Sequence, residues 1–174
     1  MQVKVQGGLN LSFCPSRTTM KPLSSGEVGA MSLLHENRRL WQRHVLAENR
    51  RSIEGLLETL CDDPIYKVMA TNVTFKGRAQ VAQFYTGLFE GVPDATFELI
   101  NAFVGEEGVV EESILRGTQR GVLFGVPPTG HEVALPLTIV FPILSGQIMG
   151  ERLYFDLATL ARQLGVAVDS ISIK

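Results

Sequence analysis

The chain has 174 residues, 45% of them hydrophobic and 20% charged, with a net charge of −2, enough apolar material for one domain with a sizeable core. A charge so near balance gives no general attraction for nucleic acid or an anionic membrane surface, and no apolar run reaches the length of a bilayer span. Two cysteines, Cys14 and Cys61, lie far apart, and His35, His44 and His131 have no His or Cys partner at ligand spacing, so no disulfide framework and no structural metal are expected, and the expected setting is a reducing cytoplasm.

Residues 1–30 contain Gly, Ser, Pro, Lys and Arg, and their first acidic residue is Glu27. They read as an unstructured tail or a leader, with the folded domain in residues 31–174. Ser32 suits an N-cap. The spacing of Leu33, Leu34, Leu40, Trp41, Val45, Ile53, Leu56, Leu57 and Leu60 predicts one helix, weaker around residues 48–52 and stopped at Asp62-Asp63-Pro64. Along it Arg38, Arg39, Arg43, Arg50 and Arg51 read as a solvated face balanced by Glu36, Glu48 and Glu54. Residues 65–75 read as a short strand pair or an irregular hairpin. A second helix follows over 77–89, with Val81, Phe84, Tyr85, Leu88 and Phe89 as its buried stripe, ended by Gly91-Val92-Pro93-Asp94.

The remainder predicts an antiparallel meander. Strands run over 95–104, 109–118, 131–144 and 147–155, with a Gly/Pro loop at 119–130 and prolines at Pro136 and Pro142 that signal an edge, bulge or bend. Residues 157–164 form a last helix, with Gly165 at its C-terminal cap. Helices first and strands after give an α+β fold, with helices on one side of the sheet.

Asp156 is the leading catalytic candidate. A carboxylate at a strand end facing an apolar pocket has its pKa raised by desolvation, which suits a general base; an Asp directly before a helix is equally suited to N-capping. Tyr154, Tyr85, Gln119 and His131 can donate hydrogen bonds to an oxyanion, and Trp41 is a core residue with an edge available to a pocket. Arg152, Tyr154 and Asp156 share one face of the last strand, and Glu151, Leu153 and Phe155 the other. Both faces carry bulky apolar groups, so alternation leaves open which one faces inward.

The segments GRAQVAQFYTGLFEGVPD, RGTQRGVLFGVPPTGHEV and GQIMGERLYFDLATLARQLG, in that order, resemble SnoaL-like proteins of the NTF2-like superfamily, polyketide cyclases among them, over about residues 32–166. The resemblance implies a cone in which a curved antiparallel sheet wraps around N-terminal helices and an apolar pocket. It implies cofactor-free general-base chemistry, aldol cyclisation or isomerisation, on a small apolar carbonyl compound. Asp156 matches the base of the cyclases. Gln119 stands where related sequences often carry a histidine. The alternatives are a non-catalytic domain that binds a small apolar ligand and a dimeric interaction module; a homodimer is expected, with neither nucleic acid nor membrane as partner.

Overall fold

A long helix, α1 (Ser25–Asn49), starts upstream of Ser32. The Ser32 hydroxyl donates to Glu36 Oε1 at 3.0 Å within that helix instead of capping it. The computed structural model describes residues 25–173, so most of the segment read as a tail or leader, Cys14 included, lies outside the described residues. The weak stretch after residue 48 is a true break. Arg51 adopts φ +55°, and Ser52 caps a separate helix, α2 (Ile53–Thr59), by accepting from Gly55 N. The single helix expected over this region is therefore two.

Asp62-Asp63-Pro64 lies inside a strand, β1 (Leu60–Val68), rather than forming a stop. Proline is tolerated because the ladder slips between Leu60 and Ile65, so the missing N–H falls at an irregularity. After β2 (Val73–Lys76) and α3 (Gly77–Gly91) come β3 (Thr96–Gly105), β4 (Gly108–Thr118), β5 (Glu132–Leu144), β6 (Gln147–Tyr154) and α4 (Leu157–Leu164). The strand order is β2-β1-β6-β5-β4-β3. Every neighbouring pair is antiparallel except β1 with β6, so the sheet expected to be antiparallel is mixed. That one pair closes the β3–β6 meander onto the strand that precedes it, a long-range contact that strand patterning does not encode.

The inner face of β5 carries Val133, Leu135, Leu137, Ile139, Phe141 and Ile143, all buried against the helices. On β6 the alternation breaks at one place. Ile148 and Glu151 are both buried, although they are three residues apart. Gly150 makes the switch, with φ +135° and its Cα so close to β1 that a Cβ would stand 2.0 Å from the Ile65 carbonyl oxygen. This irregularity turns Glu151 inward and leaves Arg152 and Tyr154 exposed. Gly150→Ala must force β1 and β6 apart. The expected loss is at least about 2 kcal/mol of unfolding free energy, read from urea denaturation against the parent chain.

A buried acid–base cluster beside an apolar chamber

Asn37, Trp41, His44 and Glu48 follow one another on α1 at spacings of four, three and four residues, which stacks them on one helical face. That face lies on the sheet, and all four are buried. Each polar group finds a partner from another element. Asn37 Nδ2 donates to the carbonyls of Gly105 and Glu106 at 2.9 and 3.0 Å. Trp41 Nε1 donates to Glu111 Oε2 on β4 at 2.9 Å.

The network around His44 places a proton on its Nδ1. Thr59, at the end of α2, commits its single hydroxyl proton to the Leu56 carbonyl at 2.6 Å. Its oxygen must then accept from His44 Nδ1, 2.6 Å away. His44 Nε2 faces Glu151 Oε1 at 2.8 Å, a contact that requires one proton between them. The Tyr85 hydroxyl lies 2.8 Å from Glu48 Oε1 and 2.9 Å from Glu151 Oε1. One hydroxyl has one proton to donate, so the second contact needs a proton carried by a carboxyl. The Tyr66 hydroxyl lies 3.4 Å from His44 Nε2.

Electrostatics favour Glu48 as the proton carrier. Burial raises its pKa well above the usual carboxylate range, and the nearby Glu151 and Glu111 carboxylates add to that, against a lowering by the Tyr85 hydrogen bond. Burial likewise raises Glu111, opposed by the Trp41 hydrogen bond among others. Tyr85 and Tyr66 are both raised by burial and then by the negative charge of Glu151, so each keeps its phenolic proton. Among the described residues, Glu48 Oε2, Glu111 Oε1 and Glu151 Oε2 have no hydrogen-bond partner.

Glu48 and Tyr85 also line a chamber of about 30 Å³ whose other walls are apolar, among them Val68, Leu115, Leu135, Leu137 and Leu153. The sheet and helices thus enclose a greasy space with one ionisable wall. It has room for roughly a water molecule, far short of the about 300–1,000 Å³ of typical ligand sites. His44, Glu48 and Glu151 could each turn one atom toward a cation, these atoms lying within 4.8 Å of one another. The Tyr85 hydroxyl already bridges the two carboxylates, so a shared-proton network fits the donor set without an ion.

The residues singled out from the sequence fall into three groups. Tyr85 and Trp41 belong to the buried cluster. Gln119 is buried and ties the 119–130 loop together: its Nε2 donates to the carbonyls of Gly121, Val126 and Pro127, and its Oε1 accepts from Thr129. Asp156, Tyr154 and His131 are exposed. Asp156 caps α4, accepting from the N–H groups of Ala158 and Thr159 at 3.2 and 3.1 Å. Its pKa is lowered, foremost by the Thr159 hydroxyl, the reverse of a desolvated base. Sequence reasoning passed over His44, Glu48, Glu111 and Glu151. Glu48 in particular reads as a counter-ion for the arginines, yet only 1% of it is exposed. The available signal was phase: His44 and Glu48 fall in register with Asn37 and Trp41.

Helices laid in the concavity of an unclosed, curved six-stranded sheet, with a chamber between them, define the NTF2-like class. The chain belongs to the SnoaL-like polyketide cyclase family, whose model matches residues 37–164. It is similar to a protein provisionally assigned as a SnoaL-like polyketide cyclase from Jannaschia sp. CCS1, at 25% identity and TM-score 0.70, over 76% of this chain and 94% of that one. A second, provisionally assigned as a polyketide cyclase, from Xanthomonas campestris pv. campestris, shares 21% identity at TM-score 0.68, over 76% and 98% of the two chains. A third, from Catenulispora acidiphila, has a ketosteroid isomerase-like fold and was solved with trimethylamine; it shares 17% identity at TM-score 0.64, over 75% and 95%. No curated protein matches the chain.

The raised pKa of Glu48 has a definite sign in stability. Above its unfolded pKa and up to its folded one, the native state holds a proton that the unfolded chain has released, so stability falls as pH rises through that window. Glu48→Gln removes this group's share. Its stability, measured by urea denaturation from pH 5 to 9, should fall less steeply with pH than that of the parent chain.

Proposed function

We propose that the protein is a cofactor-free enzyme acting on a small, largely apolar carbonyl compound, with Glu48 as the general acid–base. The observation that carries this reading is a buried carboxyl with one unpartnered oxygen on the wall of an apolar chamber. In its ionised form Glu48 accepts a proton from the carbon next to the carbonyl, and the C–H electron pair moves onto the carbonyl oxygen as an enolate. Glu48 then returns the proton to another carbon, giving isomerisation. Alternatively, the enolate carbon attacks a second carbonyl and the proton goes to the resulting alkoxide, giving aldol cyclisation. Either way no electrons are gained or lost, so the chemistry calls for no redox partner. Tyr85 keeps its proton and stands beside Glu48, where it can donate to the developing oxyanion. The resting proton of Glu48 passes through the Tyr85 hydroxyl, which takes it as it gives its own to Glu151, the carboxylate held by His44.

A second reading is a domain that binds a small apolar ligand without turning it over. The almost wholly apolar lining of the chamber favours it. In either case the expected homodimer would use the outer sheet near the edge strand β3, where Leu99, Ile100 and Phe103 are exposed.

The test is deuterium incorporation next to the carbonyl of a panel of cyclic ketones in D₂O, followed by proton NMR. Glu48→Gln should lower the enzyme-dependent rate by about 10²–10⁴, while Asp156→Asn retains most of it. A folded Glu48→Gln protein at full rate, or loss of the rate in a folded Asp156→Asn, would move the base away from Glu48.

A further inference from the structure

Outside the chamber lies a second, open hollow of about 320 Å³, bordered by Gln83, Val122, Gly125, Ser172 and Ile173. Two aromatic rings, Phe84 and Phe124, line both spaces. They lie near-parallel, 18° apart in plane with centroids 6.3 Å apart. Phe84 is fixed on α3 and packs edge-on against Tyr66 and Tyr85. Phe124 is held differently. It sits in a two-residue turn closed by reciprocal hydrogen bonds between Leu123 and Val126 at 3.0 and 2.9 Å. Phe124 has φ +48° and Gly125 φ +80°, the signature of a type I′ turn. Glycine or asparagine is the ordinary occupant of the first position, and a bulky aromatic there is strained. The Phe124 carbonyl accepts from Ser172 N at 2.8 Å, so the C-terminal segment fastens the turn from outside.

We propose that Phe124 is the gate of this site and that the outer hollow is the outer half of one binding pocket. The inference rests on the reading of Glu48 as the polar end of that pocket. With the Phe124 ring withdrawn, chamber and hollow become continuous, so that a space already of the size at which ligand sites begin, about 300 Å³, extends inward to Glu48. The ligand this shape takes is flat, elongated and apolar, with a single carbonyl or hydroxyl at one end. Its polar end meets Glu48, and its body replaces the Phe124 ring against Phe84 and extends into the hollow. The strain at Phe124 marks a conformation that the surrounding structure holds and that an incoming ring can displace.

The probe is 2-naphthol, flat and uncharged with one hydroxyl, and its binding to the full chain is followed by stopped-flow fluorescence. Phe124→Ala should speed entry by about tenfold or more, and Phe124→Trp, which enlarges the plug, should slow it. Thermal melts confirm that each variant is folded. Rates within about twofold of the parent for both variants would overturn the gate. Leu137→Phe, added to Phe124→Ala, narrows the chamber but not the hollow. Loss of the gain in that double variant supports entry into the chamber; a retained gain places the probe in the hollow alone and refutes the proposal. Glu48→Gln tests the underlying reading separately. If it leaves 2-naphthol affinity unchanged while Phe124→Ala still speeds entry, the gate stands and the role of Glu48 falls.

Discussion

Three glutamates, Glu48, Glu111 and Glu151, are enclosed in the core of this domain, and few protons and N–H groups are at hand to serve them. Isolated ionised carboxylates in such a place are very costly, so each must be neutralised, paired or hydrogen-bonded. Trp41 serves Glu111, His44 serves Glu151, and Tyr85 bridges Glu151 and Glu48. These bonds span α1, α3, β4 and β6. They fix the rotation of α1 about its own axis more tightly than apolar packing could, because a slip of one residue would strand every polar group on that face.

The same constraint explains two irregularities that look like defects. α1 ends at Asn49, Arg51 turns the chain in a left-handed conformation, and Ser52 starts α2 so that Thr59 comes back to His44 Nδ1. Gly150 breaks the alternation of β6 so that Glu151, rather than Arg152, faces α1. Both lie within a few residues of a cluster member. A regular helix and a regular strand would have left His44 without its Thr59 partner and Glu151 in solvent.

Two carboxylates, Asp156 and Glu48, divide two roles. Asp156 receives two backbone N–H groups and a hydroxyl at a helix start, a setting that holds it ionised and lowers its pKa. Glu48 sits among apolar side chains and other carboxylates, a setting that makes it hold a proton. Burial makes the Glu48 carboxyl hold its proton more readily than an exposed carboxyl does, whereas the hydrogen bonds at the Asp156 cap favour the charged form and start a helix.

The sequence by itself determined most of the elements and their class. The stripe on α3, the Gly91–Asp94 stop, the meander of β3 to β6, Asp156 before α4 and Gly165 after it are all local signals, set by periodicity, capping and turn chemistry. The helix break at Arg51 showed only as a weak stretch and the parallel pairing of β1 with β6 not at all, since one depends on where α2 must dock and the other joins strands about ninety residues apart. The site was only half legible for the same reason. Trp41 and Tyr85 stand out as aromatics on apolar stripes, but Glu48 is flanked by Asn49, Arg50 and Arg51 and has the local pattern of a surface charge. Whether a glutamate on a helix meets water or a tyrosine depends on what packs over that face, and only the tertiary structure decides it.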